Sequence, residues 1–450
     1  MKNKSQLIQL AEAYVDAFRA ALVKNDDDYR QVLRGRSNGY TTGTHGTLEF
    51  TDELVAAGRK LANLATSSFG ASRVHNKSVE EAARSVLFAS SSDEPAKSVA
   101  MELVETISRA ATKSHRVIRP NQLFRFTDGV TEVRIGPVRV VTRETLSAEI
   151  ERAHRRVKIV ASADEGNAMT MVDTDGEMDA EIHLPGVCWD VTLQGMPKKI
   201  ETEALWLVDV AVSFARLQYK DFPGLFPGLP DIEPHPIRPY QWTRAGLIIS
   251  AGEELRFGGG TAATWYEIGR TMADKFDDPD VCLAAALVFD PSIGSVGERM
   301  QQVLGWMSRA RQVAEPAERI LLFFTAIEAL LSGTDRDVPI TETIARSASV
   351  IWTADPLSRL AFYKAIKKFY GTRSKIIHNG YRSVAEIEAN SVHHIVWNLA
   401  HLVLHKVDLK QPHSAFLNEL KEASFGRKWN PAGVADEPEG GDGGETATAG

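Results

Sequence analysis

ILLFFTAIEALL, residues Ile320 to Leu331, reads as a helix buried on nearly every side, and the rest of the fold can be read outward from it. Extended to Ala317–Ser332, it is opened by Pro316, tolerated in a first turn because that amide has no intrahelical acceptor, and closed by Gly333. Its polar positions Thr325, Glu328 and Ser332 fall at i, i+3 and i+7, so they share one face. Such a helix needs partners on its other sides. Ile340 to Trp352 predicts a second helix. A third starts at Asp355-Pro356, a cap followed by proline; its apolar face is Phe362, Tyr363, Ile366, Phe369 and Tyr370, and the register runs on through Arg373 to Ile376 and Ile377. A fourth, Val384 to Val407, carries Ile387, Ile395, Trp397, Leu399, Leu402 and Val403 on one face. Four such helices with short connections predict a bundle over about 301–407.

Upstream the pattern changes twice. Gln6–Leu22, Asp52–Leu64, Val79–Leu87 and Ala96–Ala110 show helical spacing. Leu123–Phe126, Val133–Val141, Val157–Val160 and Val187–Val191 read as short strands, followed by helix from Glu201 to Phe214. Prolines 223, 227, 230, 234, 236 and 239 remove amide donors and fix φ, which neither a helix nor a central strand tolerates. Leu247 to Phe257 reads as a hairpin followed by helix. The expected fold class is mainly α with an α+β middle region and a C-terminal helical bundle. The expected division is a helical region over 1–120, an α+β region over 121–221, a proline-rich linker over 222–240, a C-terminal region over 241–425 containing the bundle, and a disordered tail over 426–450, rich in Gly, Glu and Thr with little to bury.

Composition narrows the function classes. Hydrophobic residues at 43% and charged residues at 25% fit a globular chain. A net charge of -7 excludes a whole-protein basic field, so any affinity for nucleic acid must come from local patches. Cys188 and Cys282 form no CxxC, which points to a reducing cytoplasm rather than a disulfide framework. The start, MKNKSQLIQLAEAY, lacks the apolar run of a signal peptide, and Ile320–Leu331 is too short to span a bilayer.

FYGTRSKIIHNG, residues Phe369 to Gly380, carries the chemistry. Arg373 stands where the apolar face calls for an apolar residue, and Asn379-Gly380 is a helix stop that puts His378 in the last turn. A guanidinium can hold a scissile phosphate and stabilise its developing charge. An imidazole that titrates near neutrality can move the 2′-hydroxyl or leaving-group proton. RNA cleavage by such a pair needs no metal and no cofactor. R-x4-H alone is nevertheless a short motif that arises by chance.

Taken together, ILLFFTAIEALL (320–331), ITETIARSA (340–348) and FYGTRSKIIHNG (369–380) resemble the HEPN superfamily, in particular its ApeA-like branch, over about a hundred residues. The resemblance implies a metal-independent endoribonuclease of the kind found in phage defence (abortive infection), toxin–antitoxin pairs and RNA processing. It implies Arg373 and His378 as the catalytic pair, homodimerisation through the bundle with both pairs meeting in one cleft, an RNA substrate, and an N-terminal part that senses or restrains, here with a phage-derived trigger. Two positions depart from the pattern. Ser374 stands where Asn, Asp or His often follows the arginine, and Gly380 stands where some members carry a modified tyrosine. The alternative is a non-catalytic interaction or nucleic-acid-binding module.

Other residues have two readings each. Glu328 either faces the cleft and orients Arg373 or is a solvent-facing glutamate. Ser374 and Asn379 flank the pair as supporting polar groups. Lys364, Lys367, Lys368 and Lys375 make the motif helix locally basic; Lys368 and Lys375 would contact RNA, against the alternative of a solvated face. Arg346 is a phosphate contact or a surface arginine. Arg152, His154, Arg155, Arg156 and Lys158 form a dense basic run. His394, Asn398, His401 and His405 form a polar stripe whose His401/His405 pair lacks a third ligand at metal spacing, so no metal is expected. Gly258-Gly259-Gly260 lacks the Lys-Ser/Thr of a P-loop, and Asp26-Asp27-Asp28 has no second acidic cluster.

Overall fold

A computed structural model of the chain describes residues 3–23, 40–43, 46–91, 93–121, 123–153, 157–161, 171–172, 180–218, 246–249, 255–258, 266–313, 315–333 and 339–429. Two compact units divide it: Met1–Ile118 with Asp190–Trp206, and Arg119–Trp189 with Leu207–Gly450.

The first unit is built on α1 (Lys4–Ala21), α2 (Asp52–Phe69), α3 (Asn76–Ala89) and α4 (Ala96–Thr112). Thr51 caps α2, its side chain accepting from the Leu54 amide at 3.2 Å, and Asp52 and Glu53 in the first turn suit the helix dipole. Leu7, Ala11, Tyr14, Val15 and Phe18 put one face of α1 into a core shared with Leu61, Val99, Leu103 and Ile107. A small antiparallel sheet of order β1-β3-β2 joins them, from β1 (Leu22–Val23), β2 (Tyr40–Gly43) and β3 (Gly46–Glu49). This sheet was not read from the sequence: its strands are short and rich in Thr and Gly, so no alternation marks them.

Most strands follow. β4 (Ser114–Pro120), β6 (Glu132–Ile135), β7 (Val138–Thr142) and β11 (Val187–Gln194) form a four-stranded sheet of order β4-β11-β7-β6. β4, β11 and helix α6 (Pro197–Gln218) each run from one unit into the other. The expected single strand Val133–Val141 is a hairpin, β6 pairing β7 antiparallel, because Gly136 turns the chain at φ 59. β5 (Phe124–Phe126) pairs in parallel with β14 (Tyr266–Ile268). β8 (Val157–Ala161) and β9 (Met171–Val172) flank β10 (Ala180–Leu184). β12 (Gly246–Ile249) and β13 (Leu255–Gly258) make the expected hairpin. Helix α5 (Arg143–Ala153) went unread; its sequence is charged and no residue of it but Leu146 is deeply buried.

The C-terminal part of the second unit is helical: α7 (Arg270–Phe276), α8 (Pro279–Phe289), α9 (Val296–Gln312), α10 (Pro316–Leu331), α11 (Ile340–Trp352), α12 (Pro356–Asn379), α13 (Glu386–Lys406) and α14 (His413–Ser424). α10 packs on α9, α11, α12 and α13. It buries Ile320, Phe323, Phe324, Ile327, Leu330 and Leu331, each contributing about 1.5–3 kcal/mol of transfer free energy. Asp355 caps α12, accepting from the Ser358 amide at 2.7 Å, and Gly380 ends it in the left-handed region at φ 62.

The chain is thus mainly helical with strands concentrated in the middle. Two expected apolar faces are narrower than read. On α12 only Ile366 and Tyr370 are buried, while Phe362, Tyr363 and Phe369 are half-buried. On α13 Ile387 is 71% exposed, and the buried face is Ala389, Val392, His393, Val396, Ala400 and Val403 with Ile395 and Leu399. The division near residue 120 falls at 118/119, but residues 190–206 join the first unit. The linker read at 222–240, the acidic run at 26–28 and residues 430–450 of the tail lie outside the described residues.

Candidate functional site

The site is built on α12, because one unbroken helix from the Asp355 cap to Gly380 carries both Arg373 and His378. Five residues on an α-helix turn about 140° and rise about 7.5 Å. The two side chains therefore leave α12 on different sides.

Arg373 faces α10. Its Nη2 donates to Glu328 Oε2 at 3.2 Å and lies 3.1 Å from Oε1. Tyr370 Oη donates to the same Oε1 at 2.9 Å, and its ring lies under the guanidinium, 5.3 Å from centroid to Cζ. Phe324 holds that ring edge-on at 5.4 Å. Burial, then the charge and hydrogen bond of Glu328, push the Tyr370 phenol up to about 12, so it remains a donor. Arg373 and Glu328 are about one-fifth exposed, at 23% and 20%. Nε and Nη1 of Arg373 make no hydrogen bond among the described residues.

His378 is exposed in the last turn, and its side chain has no hydrogen bond among the described residues. Lys364, Lys368, Gly371 and Lys375 lie within about 80° of it around the axis and are all exposed. None of these three lysines has an ion pair among the described residues. Ser374 is half-buried and Asn379 is exposed.

Lys367 is engaged instead. Glu342 on α11 accepts from Tyr363 Oη at 2.7 Å, Lys367 Nζ at 3.1 Å and Arg346 Nε at 2.7 Å. These bonds, that from Tyr363 foremost, bring the Glu342 carboxyl down to about 2. Arg346 thus pairs with a carboxylate through Nε while its side chain is 47% exposed.

The polar stripe of α13 makes contacts along the helix and beyond it, His394 meeting the Trp352 ring edge-on at 6.1 Å. Asn398 Nδ2 donates to the His394 carbonyl at 2.8 Å, Trp397 stacks on His401 at 5.1 Å, and His401 and His405 are 4.5 Å apart. Burial lowers the basicity of His405. Among the described residues no group of three His, Cys, Asp or Glu is placed to hold a metal, and no helix is long and apolar enough to cross a membrane. In the basic run near 155, Arg152 is exposed at the end of α5, and residues 154–156 lie outside the described residues.

Sequence reasoning missed Tyr370 as a polar participant, taking it only as part of an apolar face. The available signal was tyrosine at a buried helix position, since a buried phenol needs an acceptor. It also missed His393, buried and stacked on Phe323 at 4.9 Å, and Arg319, buried on α10 and bonded to Glu386 and Asn390 of α13.

Comparison of the chain with models of protein families, with curated proteins and with solved structures finds no match.

Proposed function

We propose that the chain is a metal-independent endoribonuclease of HEPN type, a cytoplasmic anti-phage defence effector whose upstream part senses or restrains. The observation that carries the reading is the state of Arg373: half-buried, fixed by Glu328 through one nitrogen, with no hydrogen bond from Nε or Nη1 among the described residues. Those N–H groups suit phosphate oxygens, whose charge grows as the attacking oxygen adds. His378 takes the proton of the 2′-hydroxyl as the 2′-oxygen bonds to phosphorus. The P–O5′ bond breaks, and the departing oxygen takes a proton from an imidazolium. The products are a 2′,3′-cyclic phosphate and a 5′-hydroxyl. Lys368 and Lys375, on the His378 face, neutralise flanking phosphates. Because Arg373 and His378 diverge on one helix, the reading takes the cleft to form between two copies of the bundle.

Purified wild type and His378→Ala, incubated with RNA in EDTA, test it. Fragmentation by wild type alone is the expected result. Equal cutting by both proteins, or none by either folded protein, overturns it. The same divergence of Arg373 and His378, with Ser374 after the arginine, favours the second reading, a non-catalytic interaction or nucleic-acid-binding module; retained RNA binding without cleavage is its signature.

A further inference from the structure

We propose that Tyr370 is a positioning residue for Arg373: by occupying Glu328 it keeps the carboxylate from closing a two-nitrogen fork (Nε/Nη2 or Nη1/Nη2) on the guanidinium, leaving the Nε and Nη1 hydrogens for phosphate oxygens. The inference rests on the reading of Arg373 as the phosphate-binding group.

The fork is the usual geometry when arginine meets a carboxylate, and this chain forms it elsewhere. Arg116 gives Nε and Nη2 to the two oxygens of Asp190 at 2.8 and 2.7 Å. Arg139 gives Nη1 and Nη2 to the two oxygens of Glu149 at 2.9 and 2.6 Å. Arg373 differs, giving both Glu328 oxygens the same Nη2. The difference lies in what else touches the carboxylate. Oε1 of Glu328 is shared with the Tyr370 hydroxyl, so that oxygen is held and does not swing to a second guanidinium nitrogen. The ring below limits the other escape, a slide of the guanidinium along the carboxylate. Tyr370 is itself only 8% exposed and wedged by Phe324, so its hydroxyl position is set by the core. With the hydroxyl gone, Glu328 is free to close a fork on Nη2 and either Nε or Nη1, and so compete with phosphate for that donor.

The full chain is compared as wild type, Tyr370→Phe, Glu328→Gln, the Tyr370→Phe/Glu328→Gln double variant and Arg373→Ala. Each is assayed for affinity to a 2′-O-methyl oligoribonucleotide, which cannot be cut, and for cleavage of the matching RNA. Thermal midpoints check that each variant folds. Tyr370→Phe should weaken oligonucleotide binding about three- to tenfold, the scale of one ordinary hydrogen bond. The double variant should recover that loss, because an amide competes for arginine far less well than a carboxylate. A purely structural phenol would give no such rescue. Unchanged binding in Tyr370→Phe, or a loss that Glu328→Gln leaves in place, overturns the proposal. Wild type that binds through Arg373 without cutting overturns the ribonuclease reading alone, and the binding pattern still decides the role of Tyr370. Wild type whose binding is indifferent to Arg373→Ala overturns both.

Discussion

Arg373 and His378 stand on one helix yet face different surroundings, the first held in the groove against α10 by Glu328 and the second exposed to solvent. Their substitution should therefore separate chemistry from stability differently. His378→Ala should leave unfolding free energy within about 0.5 kcal/mol of wild type, since no side-chain bond is lost. Arg373→Ala should cost about 1–2 kcal/mol, because the Glu328 carboxylate keeps Tyr370 but loses its cation. On the proposed ribonuclease reading, both should lower RNA cleavage at least about a hundredfold. Urea unfolding beside a cleavage assay checks this; a large destabilisation by His378→Ala would contradict its exposed, unbonded placement.

Two glycines of α12 should respond to alanine with opposite signs. At Gly371, inside the helix with open space where a Cβ would stand, alanine should stabilise by about 0.5–1 kcal/mol. At Gly380, equally open but at φ 62, alanine should destabilise by about 1 kcal/mol, because the left-handed conformation of the helix stop disfavours a side chain. Thermal midpoints of the two single variants decide it, and shifts of the same sign would count against the helix stop described here.

Glu342 should make an acid-sensitive contribution to stability. Its carboxyl is near 2 in the folded chain against an ordinary value of 4.5. The contribution is therefore complete above about 4.5 and is lost as pH falls through about 2. Glu342→Gln should be less stable than wild type by a constant margin from pH 7 down to that upper limit, and the margin should narrow below it. Denaturant midpoints at a series of pH values measure the margin; one that grows on acidification would reverse the sign argued here.

Asp209 should be among the costlier polar positions of the second unit. It is 3% exposed and accepts from Ser308 Oγ at 3.1 Å, Arg309 Nε at 3.1 Å and Gln312 Nε2 at 2.7 Å, tying α6 to α9. Asp209→Ala should cost about 2–3 kcal/mol, chiefly by leaving Ser308 and Gln312 without their acceptor. Chemical unfolding reads the loss directly, and a change under about 0.5 kcal/mol would mean that water replaces the carboxylate.

The ends of the C-terminal helices were legible because local chemistry decides them. Asp355-Pro356 and Asn379-Gly380 bracket α12 at the residues read from sequence, and Ile340 to Trp352 is α11 as expected. Depth was less legible. Phe362, Tyr363, Ile366, Phe369 and Tyr370 cover a wide arc, and which of them reaches the core depends on where α10 and α11 lie. His393 and His394 are neighbours in sequence, yet one is buried and the other exposed. Arg319 drew no reading from the sequence, because its partners Glu386 and Asn390 come to it from about seventy residues away. At the site, Glu328 was singled out on its apolar run, with Arg373 as its partner in one of two readings, and the two do meet; the Tyr370 hydroxyl that shares the carboxylate follows from inter-helix register that no local pattern encodes.

The unbroken course of α12 from cap to stop also makes it a phase device. Inserting one residue between Ile366 and Arg373 would rotate everything beyond it by about 100°, carrying Arg373 away from Glu328 and His378 off the lysine-bearing side. Inserting seven, nearly two turns, would leave both bearings within about 20° of where they began but would carry Arg373 about 10.5 Å along the axis, beyond the reach of Glu328. The interval between the buried anchor of this helix and its motif is therefore tolerant of substitution but fixed in length.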